Sequence, residues 1–247
     1  MLSKLRQLFK RGGQCIQLNL RDANIADPLD LDWDWMIPPA DPLDVSAWDR
    51  YWTEHVRHEI GPAGFDIFSD DRGLVAVMNS EGMKSVLCAG SGISQEPRAL
   101  AQAGFQVVAL DRSPQAMEIA RGYEFPPEGF EYFCEPEMRR PGGHVEFVTG
   151  DILDPAVCPG PFDVIIERRT AQLYFTRDMG AVLSELEKRL GQEGIFLSHC
   201  HDGRWKGPAA PHHFTKSWFE ENRWTIWSGR PGRKPPGRVA WLITSTG

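Results

Sequence analysis

Short apolar runs alternate with amphipathic segments through the last two thirds of the chain. Five short apolar runs are predicted to be buried strands, at residues 85–88, 105–110, 145–149, 162–167 and 194–199. Apolar positions at helical spacing lie between them, at residues 96–103, 114–121 and 179–190. Apolar strands that alternate with amphipathic helices indicate a parallel sheet with helices on both faces.

The end of the chain departs from this alternation. Trp218 belongs to a predicted short helix, and two further strands follow at residues 224–227 and 239–244. The segment between them, residues 229–237, is rich in Gly and Pro and has no helical pattern. We therefore predict an antiparallel pair at the sheet edge. The fold class is α/β, with a seven-stranded, mostly parallel sheet and an antiparallel last strand.

The N-terminal part of the chain has a different composition. Residues 21–49 are rich in Asp and Pro but also contain Trp33 and Trp35, which indicates an extended segment that packs on the main domain. Helical periodicity begins near Ser46, a candidate N-cap, and Gly61 is a candidate stop. A second helix is predicted at residues 65–78. We predict an N-terminal extension, residues 1–45, and a main domain, residues 46–247.

A glycine-rich turn follows the first predicted strand of the main domain. Gly90, Ser91 and Gly92 stand between that strand and the next helix. Glycines let the chain turn tightly and let a ligand lie directly on the backbone, while free N–H groups at the helix start can bind polar ligand groups. The GxG pattern is weak by itself, and its place in a βαβ unit strengthens it.

Acidic residues follow the next two strands. Asp111 ends the second strand about 20 residues after the glycines, the spacing of an acid that binds ribose hydroxyls, with Arg112 beside it. An alternative is that Asp111 or Ser113 caps the following helix. Asp151 and Ile152 follow the third strand, where they could contact an adenine ring, or simply form a turn.

Two nucleotide-containing cofactors compete for such a site. A dinucleotide site requires GxGxxG, and Gln95 occupies the position of the third glycine. S-adenosyl-L-methionine has no pyrophosphate, so it needs backbone contact to its amino-acid part together with ribose and adenine contacts. The broken fingerprint favours S-adenosyl-L-methionine.

The segment from Val86 to Ser94 resembles the first motif of the Rossmann-like S-adenosylmethionine-dependent methyltransferases. Residues 150–152 are similar to their adenine motif and residues 162–167 to their fourth-strand motif. This resemblance implies that an enzyme of this class binds its cofactor through Gly90, Ser91, Gly92, Asp111, Arg112, Asp151, Ile152 and Glu167. Cys88 and Ser94 depart from the family pattern, which usually has an acid and often a glycine there.

Candidates for binding the methyl acceptor lie near the end of the fourth strand and before the main domain. Arg169 and Tyr174 follow the fourth strand, and Trp52 forms with Trp48 a pair similar to one in the thiopurine methyltransferase-like branch, where an N-terminal segment covers the cofactor. Arg168 and Arg169 could bind an acidic substrate or pair with the aspartates of the N-terminal segment. Methyl transfer needs a general base only if the acceptor must lose a proton, so no catalytic residue is assigned.

Composition limits the partners. The net charge of −7 argues against a surface that follows nucleic-acid phosphates, although Arg230, Arg233, Lys234 and Arg238 form a local basic cluster. No apolar run approaches the roughly 18–20 residues of a membrane helix. The five cysteines are widely spaced, which predicts reduced thiols and a cytoplasmic protein. His199, His201, His212 and His213 could hold a metal, but loop histidines are more often exposed, and we expect none.

Three functions remain open at this point. The chain could methylate a small molecule, which the acidic composition and the aromatic N-terminal segment favour. It could methylate RNA or protein, a hypothesis supported by the basic cluster and the basic N-terminus. It could also bind S-adenosyl-L-methionine without turnover, as the departures at Cys88 and Ser94 would allow.

Overall fold

The computed structural model describes residues 39, 41, 43–57, 67–122, 139–174, 178–201, 210–227 and 234–245. They fall within one compact unit, Pro38–Gly247. The predicted N-terminal extension lies almost wholly outside the described residues, so the division at residue 45 stays a prediction. No helix among the described residues is long and apolar enough to span a membrane.

Strands and helices alternate along most of the described chain. The helices are α1 Val45–Arg57, α2 Ile67–Ser80, α3 Glu96–Gln102, α4 Pro114–Gly122, α5 Met179–Lys188 and α6 Pro211–Glu221. The strands are β1 Ser85–Ala89, β2 Gln106–Asp111, β3 His144–Thr149, β4 Phe162–Arg168, β5 Leu190–His201, β6 Thr225–Trp227 and β7 Val239–Ser245. A short 3-10 helix, Ala171–Tyr174, follows β4. The predicted elements are thus present, with shifted ends.

The seven strands of the described chain form one sheet in the order β3-β2-β1-β4-β5-β7-β6. Every neighbouring pair is parallel. The predicted antiparallel last strand is therefore wrong: Thr225 pairs with Val239 and Trp227 with Trp241, so β6 and β7 run in the same direction.

The length of the connection explains this outcome. A parallel pair needs a connection long enough to return the chain to the starting end of the sheet. Residues 228–238 can span about 35 Å at roughly 3.3 Å per residue, whereas a three-residue strand rises only about 10 Å. A connection without a helix was therefore not evidence for a hairpin.

Apolar side chains cover both faces of the sheet. Val86 and Cys88 of β1 belong to one core cluster, which includes Leu74 and Leu100 of helices α2 and α3. Leu87 of β1 belongs to a second cluster, with residues of α5 and α6. Neighbouring residues of one strand thus enter different clusters, which is the pattern of a sheet with helices on both faces.

The structure identifies the capping residues of two helices, one of which differs from the sequence prediction. Asp44, rather than Ser46, caps α1, because its Oδ1 accepts hydrogen bonds from Ala47 N at 3.0 Å and from Ser46 Oγ at 2.7 Å. Ser113 caps α4, since its Oγ accepts from Ala116 N at 3.0 Å. The predicted stop at Gly61 lies outside the described residues.

Candidate functional site

The carboxyl ends of the central strands meet at one edge of the sheet. Ala89 of β1 pairs with Leu110 of β2 and with Glu167 of β4. Asp111 of β2 pairs with Thr149 of β3. The turns that follow these strands therefore lie side by side, as expected for a ligand site of a parallel α/β sheet.

The turn after β1 requires glycine at two positions. Gly90 and Gly92 have φ values of +66° and +52°. A Cβ on Gly90 would lie 2.7 Å from Thr170 Cβ, and a Cβ on Gly92 would lie 2.7 Å from Trp52 Cη2. Both the backbone conformation and the available space thus exclude a side chain here.

Asp111 connects this turn to the end of β2. Its Oδ2 accepts a hydrogen bond from Gly92 N at 2.7 Å, and its Oδ1 accepts one from Ser113 N at 2.9 Å. Burial raises the pKa of Asp111, although these backbone N–H groups act in the opposite direction. A carboxylate has about four lone-pair sites, so Asp111 keeps the capacity to accept further hydrogen bonds from a ligand.

Arg112 and Asp151, two further predicted cofactor residues, form an ion pair. Asp151 also accepts a hydrogen bond from Leu153 N at 2.9 Å. Partial burial acts to raise the pKa of Asp151, but the Arg112 and Leu153 hydrogen bonds outweigh it and the pKa is lowered. The pair joins the turn after β2 to the turn after β3.

Ile152 is buried in the core cluster beside the turn after β3. Its carbonyl oxygen accepts a hydrogen bond from Arg189 Nη1 at 2.7 Å, and Asp154 O accepts one from Arg189 Nη2 at 2.7 Å. Arg189 is only 1% exposed and fixes this turn from the end of α5. Sequence reasoning missed it, because a basic residue at a helix end is usually explained by the helix dipole.

Glu167 is buried at the end of β4. Its Oε2 accepts hydrogen bonds from Thr170 N at 3.1 Å and Ala171 N at 3.0 Å, and Ser198 Oγ donates to its Oε1. Burial raises the pKa of Glu167. These bonds hold the turn that places Thr170 against Gly90, while the predicted direct contact of Glu167 with a cofactor stays a prediction.

Arg168 pairs with Glu96, a partner that sequence reasoning did not name. Its Nε lies 2.9 Å from both carboxylate oxygens of Glu96, and its Nη2 lies 2.8 Å from Glu96 Oε1. Arg168 Nη1 also lies 3.3 Å from His199 Nδ1. Because guanidinium cannot accept a hydrogen bond, His199 Nδ1 must be the acceptor.

The three predicted substrate residues lie around the same edge. The Trp52 ring lies against Gly92. Arg169 has φ +61°, and its backbone N–H donates to His199 O at 2.7 Å. Burial raises the pKa of Tyr51, and the positive charge of Arg169 acts in the opposite direction. Burial also raises the pKa of Tyr174, whose hydroxyl is within electrostatic range of Arg112 and Asp151.

Helix α1 carries an aromatic group beside the glycine turn. Trp48 and Trp52 stack with ring centroids 6.2 Å apart, and Tyr51 packs edge-on against Trp52 at 4.9 Å. Asp49 Oδ1 accepts hydrogen bonds from Ser113 Oγ and from Gln115 N at the start of α4. These bonds hold α1 next to the turn that contains Asp111.

The remaining sequence candidates are the histidines considered as metal ligands and the basic cluster near the C-terminus. Among the described residues, no group of three or more His, Cys, Asp or Glu side chains could hold a metal. Lys234 Nζ donates to Gly237 O at 2.9 Å, and Arg238 Nη2 donates to Leu190 O at 2.7 Å. Arg230 and Arg233 lie outside the described residues. The two members of the basic cluster that the structure describes, Lys234 and Arg238, thus donate hydrogen bonds to backbone carbonyl groups of the protein itself.

Comparison with known proteins shows which family this part of the chain resembles. Residues 87–198 match the family model described as a methyltransferase domain. The chain is 37% identical over 111 residues to magnesium-protoporphyrin O-methyltransferase of Rhodobacter capsulatus, a match that covers 45% of this chain and 43% of that protein. The chain thus spans less than half the length of this relative.

Solved methyltransferase structures are more distant. Magnesium protoporphyrin IX methyltransferase from Synechocystis PCC 6803 with bound S-adenosylmethionine is 23% identical, with a TM-score of 0.39, over 53% of this chain and 58% of that one. The plantazolicin methyltransferase BpumL is 15% identical, with a TM-score of 0.44, over 63% of this chain and 55% of that one.

Residues 87–198 of the chain therefore match a methyltransferase domain. The sequence-based assignment to this class is confirmed. The weaker resemblance to the thiopurine methyltransferase-like branch stays a prediction.

Proposed function

We propose that this protein transfers the methyl group of S-adenosyl-L-methionine to a small-molecule acceptor. The proposal is carried by one hydrogen bond: Asp111 Oδ2 accepts from Gly92 N at 2.7 Å. This bond connects the glycine turn after β1 with the acidic residue at the end of β2, the two features that the sequence predicted to bind the cofactor. This contact places a partly buried carboxylate beside a turn where a Cβ has no room, within the matched methyltransferase domain.

Each group at this edge has a role toward the cofactor. The backbone at Gly90 and Gly92 would contact its amino-acid part, and Asp111 would accept from its ribose hydroxyls. Asp151, held by Arg112, and Ile152 would lie against the adenine. When bound, the cofactor supplies a methyl group that is already activated, so the protein contributes mainly position and exclusion of water.

The acceptor would bind beside Trp52, Arg169 and Tyr174. Burial of Tyr174 and the aromatic group on α1 provide an apolar boundary, and Arg169 provides a positive charge. The relative from Rhodobacter capsulatus is named as an O-methyltransferase of magnesium-protoporphyrin, so a porphyrin acceptor with carboxyl groups belongs in the first set of compounds to test.

Cofactor binding is tested first, by titration calorimetry with S-adenosylmethionine, S-adenosylhomocysteine and NAD. Asp111→Asn should weaken binding of the two methionine-derived compounds. Asp163→Asn is the matched control, because Asp163 Oδ2 also accepts from two backbone N–H groups, Lys84 and Ser85 at 2.7 and 2.9 Å, at the opposite end of β1. Binding of NAD alone would contradict the proposal.

Turnover is tested by a screen of acceptors that measures release of S-adenosylhomocysteine. The compounds should include porphyrins, small phenols, thiols and amines, with a short RNA and a peptide pool for comparison. Release with a small molecule supports the proposal. Release with RNA or peptide alone would replace it, and cofactor binding without release by any acceptor would favour a non-catalytic protein.

A further inference from the structure

The carboxylate of Glu167, near the end of β4, is enclosed by the protein. Glu167 is 1% exposed and pairs with Ala89 of β1 and with Ser198 of β5. Its Oε2 accepts hydrogen bonds from Thr170 N at 3.1 Å and Ala171 N at 3.0 Å, and Ser198 Oγ donates to its Oε1. Both oxygens are thus engaged within the protein, which does not favour a direct contact with a ligand.

A carboxylate in this position has a free-energy cost. Taking a charged group out of water is unfavourable unless hydrogen bonds replace the water. Burial raises the pKa of Glu167, and the hydrogen bonds from Ser198, Ala171 and Thr170 act in the opposite direction. An apolar side chain would avoid this cost, so the carboxylate points to a role in fixing the two backbone N–H groups that donate to it.

These two N–H groups belong to a turn that packs against the glycine turn. Thr170 Oγ1 lies 3.3 Å from Ala89 O and 3.3 Å from Gly90 O, close enough to donate to either carbonyl group. The Thr170 side chain also fills the space that a Cβ on Gly90 would need. The position of Thr170, which Glu167 holds through its backbone, therefore supports the chain that is proposed to contact the cofactor.

The same turn carries two residues that are proposed to face the methyl acceptor. Arg169 has φ +61°, and its N–H donates to His199 O at 2.7 Å. The charge of Arg169 is within electrostatic range of Tyr51 on α1. Ala171 begins the 3-10 helix that ends at Tyr174. A shift of this turn would therefore move groups on the cofactor side and on the acceptor side together.

We propose that Glu167 is a positioning residue for methyl transfer, which holds the turn at residues 168–171 so that Thr170 supports the glycine turn while Arg169 and Tyr174 stand on the acceptor side. This inference rests on the proposed function. It replaces the direct cofactor contact that the sequence predicted for Glu167. Misplacing a positioning group by about 1 Å can slow a reaction on the order of a hundredfold, even when the change lies away from the reacting atoms.

Two substitutions separate the hydrogen bonds of Glu167 from its charge. Glu167→Met removes both acceptor oxygens, whereas Glu167→Gln keeps one oxygen for the N–H groups of Thr170 and Ala171 and has an amide that can donate to Ser198 Oγ. Calorimetry should show that Glu167→Met weakens binding of S-adenosylhomocysteine by about tenfold. Glu167→Gln should restore the affinity to within about threefold of the unaltered protein.

A control and a second measurement separate positioning from general support of the fold. Thr215→Val is the matched control, because Thr215 is fully buried in α6 and its Oγ1 donates to Pro211 O at 2.7 Å. It should lower the melting temperature and leave the affinity for S-adenosylhomocysteine unchanged. Hydrogen exchange should show that the amides of Thr170 and Ala171 exchange faster in Glu167→Met but not in Glu167→Gln, while the strand amides stay protected.

Each other outcome has a distinct meaning. An equal loss of affinity in Glu167→Gln and Glu167→Met would assign the effect to the charge and overturn the inference. A lower melting temperature with unchanged affinity in Glu167→Met would also overturn it, since Glu167 would then only stabilise the fold.

If Glu167→Met does not fold, Ser198→Ala provides the test, because it removes one donor from the carboxylate. Its affinity for S-adenosylhomocysteine should fall, and unchanged affinity would overturn the inference. If the unaltered protein binds neither S-adenosylmethionine nor S-adenosylhomocysteine, the proposed function itself fails. The behaviour of the unaltered protein thus separates the two failures.

Discussion

At the scale of single residues, the glycine turn shows how space and backbone conformation act together. Gly82 and Gly92 both have positive φ, +71° and +52°. A Cβ on Gly82 would meet nothing within 4 Å, whereas one on Gly92 would meet the Trp52 ring. Alanine at position 82 would therefore introduce backbone strain alone, whereas alanine at position 92 would introduce backbone strain and a collision with the Trp52 ring.

Gly92→Ala should reduce affinity for S-adenosylhomocysteine at least tenfold, because the methyl group displaces Trp52 and narrows the site. Gly82→Ala should lower stability by about 1 kcal/mol through strain alone and leave affinity unchanged. Calorimetry and thermal melts measure both effects. Equal affinities of the two variants would show that the Gly92–Trp52 contact has no part in the site.

The carboxyl group of Asp111 gives binding a defined pH dependence. Burial raises its pKa above the ordinary aspartate value of about 3.9, so the group takes up a proton at a higher pH than an exposed aspartate does. Because a protonated carboxyl loses acceptor capacity, affinity for S-adenosylhomocysteine should fall as the pH drops through this raised pKa. In Asp111→Asn, this component of the pH profile should be absent, and its persistence would assign it to another group.

At the scale of elements, the site depends on contacts that link separate turns. Arg189, at the end of α5, donates to Ile152 O and Asp154 O in the turn after β3. Asp49 of α1 accepts hydrogen bonds from Ser113 and Gln115 at the start of α4. Both contacts join segments that are far apart in the sequence, and both lie next to predicted cofactor residues.

Arg189→Met should destabilise the protein by about 2–4 kcal/mol, because the buried Ile152 carbonyl and the partly buried Asp154 carbonyl lose their donor. The substitution should also weaken the binding of 5′-methylthioadenosine, which keeps the adenine and ribose of the cofactor but lacks its amino-acid end. The reason is that the turn that carries Asp151 and Ile152 is no longer fixed. Lys188→Met changes the neighbouring residue, whose side chain is 69% exposed, and should do neither. Urea unfolding and calorimetry provide the measurements, and full affinity in Arg189→Met would remove this turn from the adenine site.

Asp49→Ala should speed the dissociation of S-adenosylhomocysteine, because α1 loses its attachment beside the site. The accompanying loss of stability should be about 1 kcal/mol, the usual effect of removing a hydrogen-bond acceptor that links two helices. Asp178→Ala is the matched control, since Asp178 caps α5 by accepting from Ala181 N at 2.8 Å. Stopped-flow measurements should show faster dissociation in Asp49→Ala only, and identical rates would mean that α1 does not cover the ligand.

At the scale of the whole molecule, the net charge of −7 opposes binding to nucleic acid. Lys234 and Arg238, from the basic cluster, donate to the protein's own backbone. Filter binding to a structured RNA at about 50 and 200 mM salt should therefore show no strong, salt-sensitive complex. Affinity that falls steeply with salt would instead support the RNA methyltransferase hypothesis.

The sequence predicted the elements well and the edge of the sheet poorly. Strands β1 to β5 and the helices between them follow from apolar periodicity, which each segment carries by itself. The direction of β6 relative to β7 depends on where residues 228–238 take the chain, and no local pattern records that. The same limit applies to Arg168, whose partner Glu96 is 72 residues away.

The sequence alone determined the class of domain and the position of the glycine turn, because strand periodicity, glycine and the spacing to Asp111 are local properties. Only the tertiary structure decided that Asp111 accepts from Gly92, that Arg189 fixes the turn after β3, and that Glu167 is buried with Ser198 as a donor. Each of these depends on which distant segments meet, and burial and hydrogen bonding are properties of that meeting.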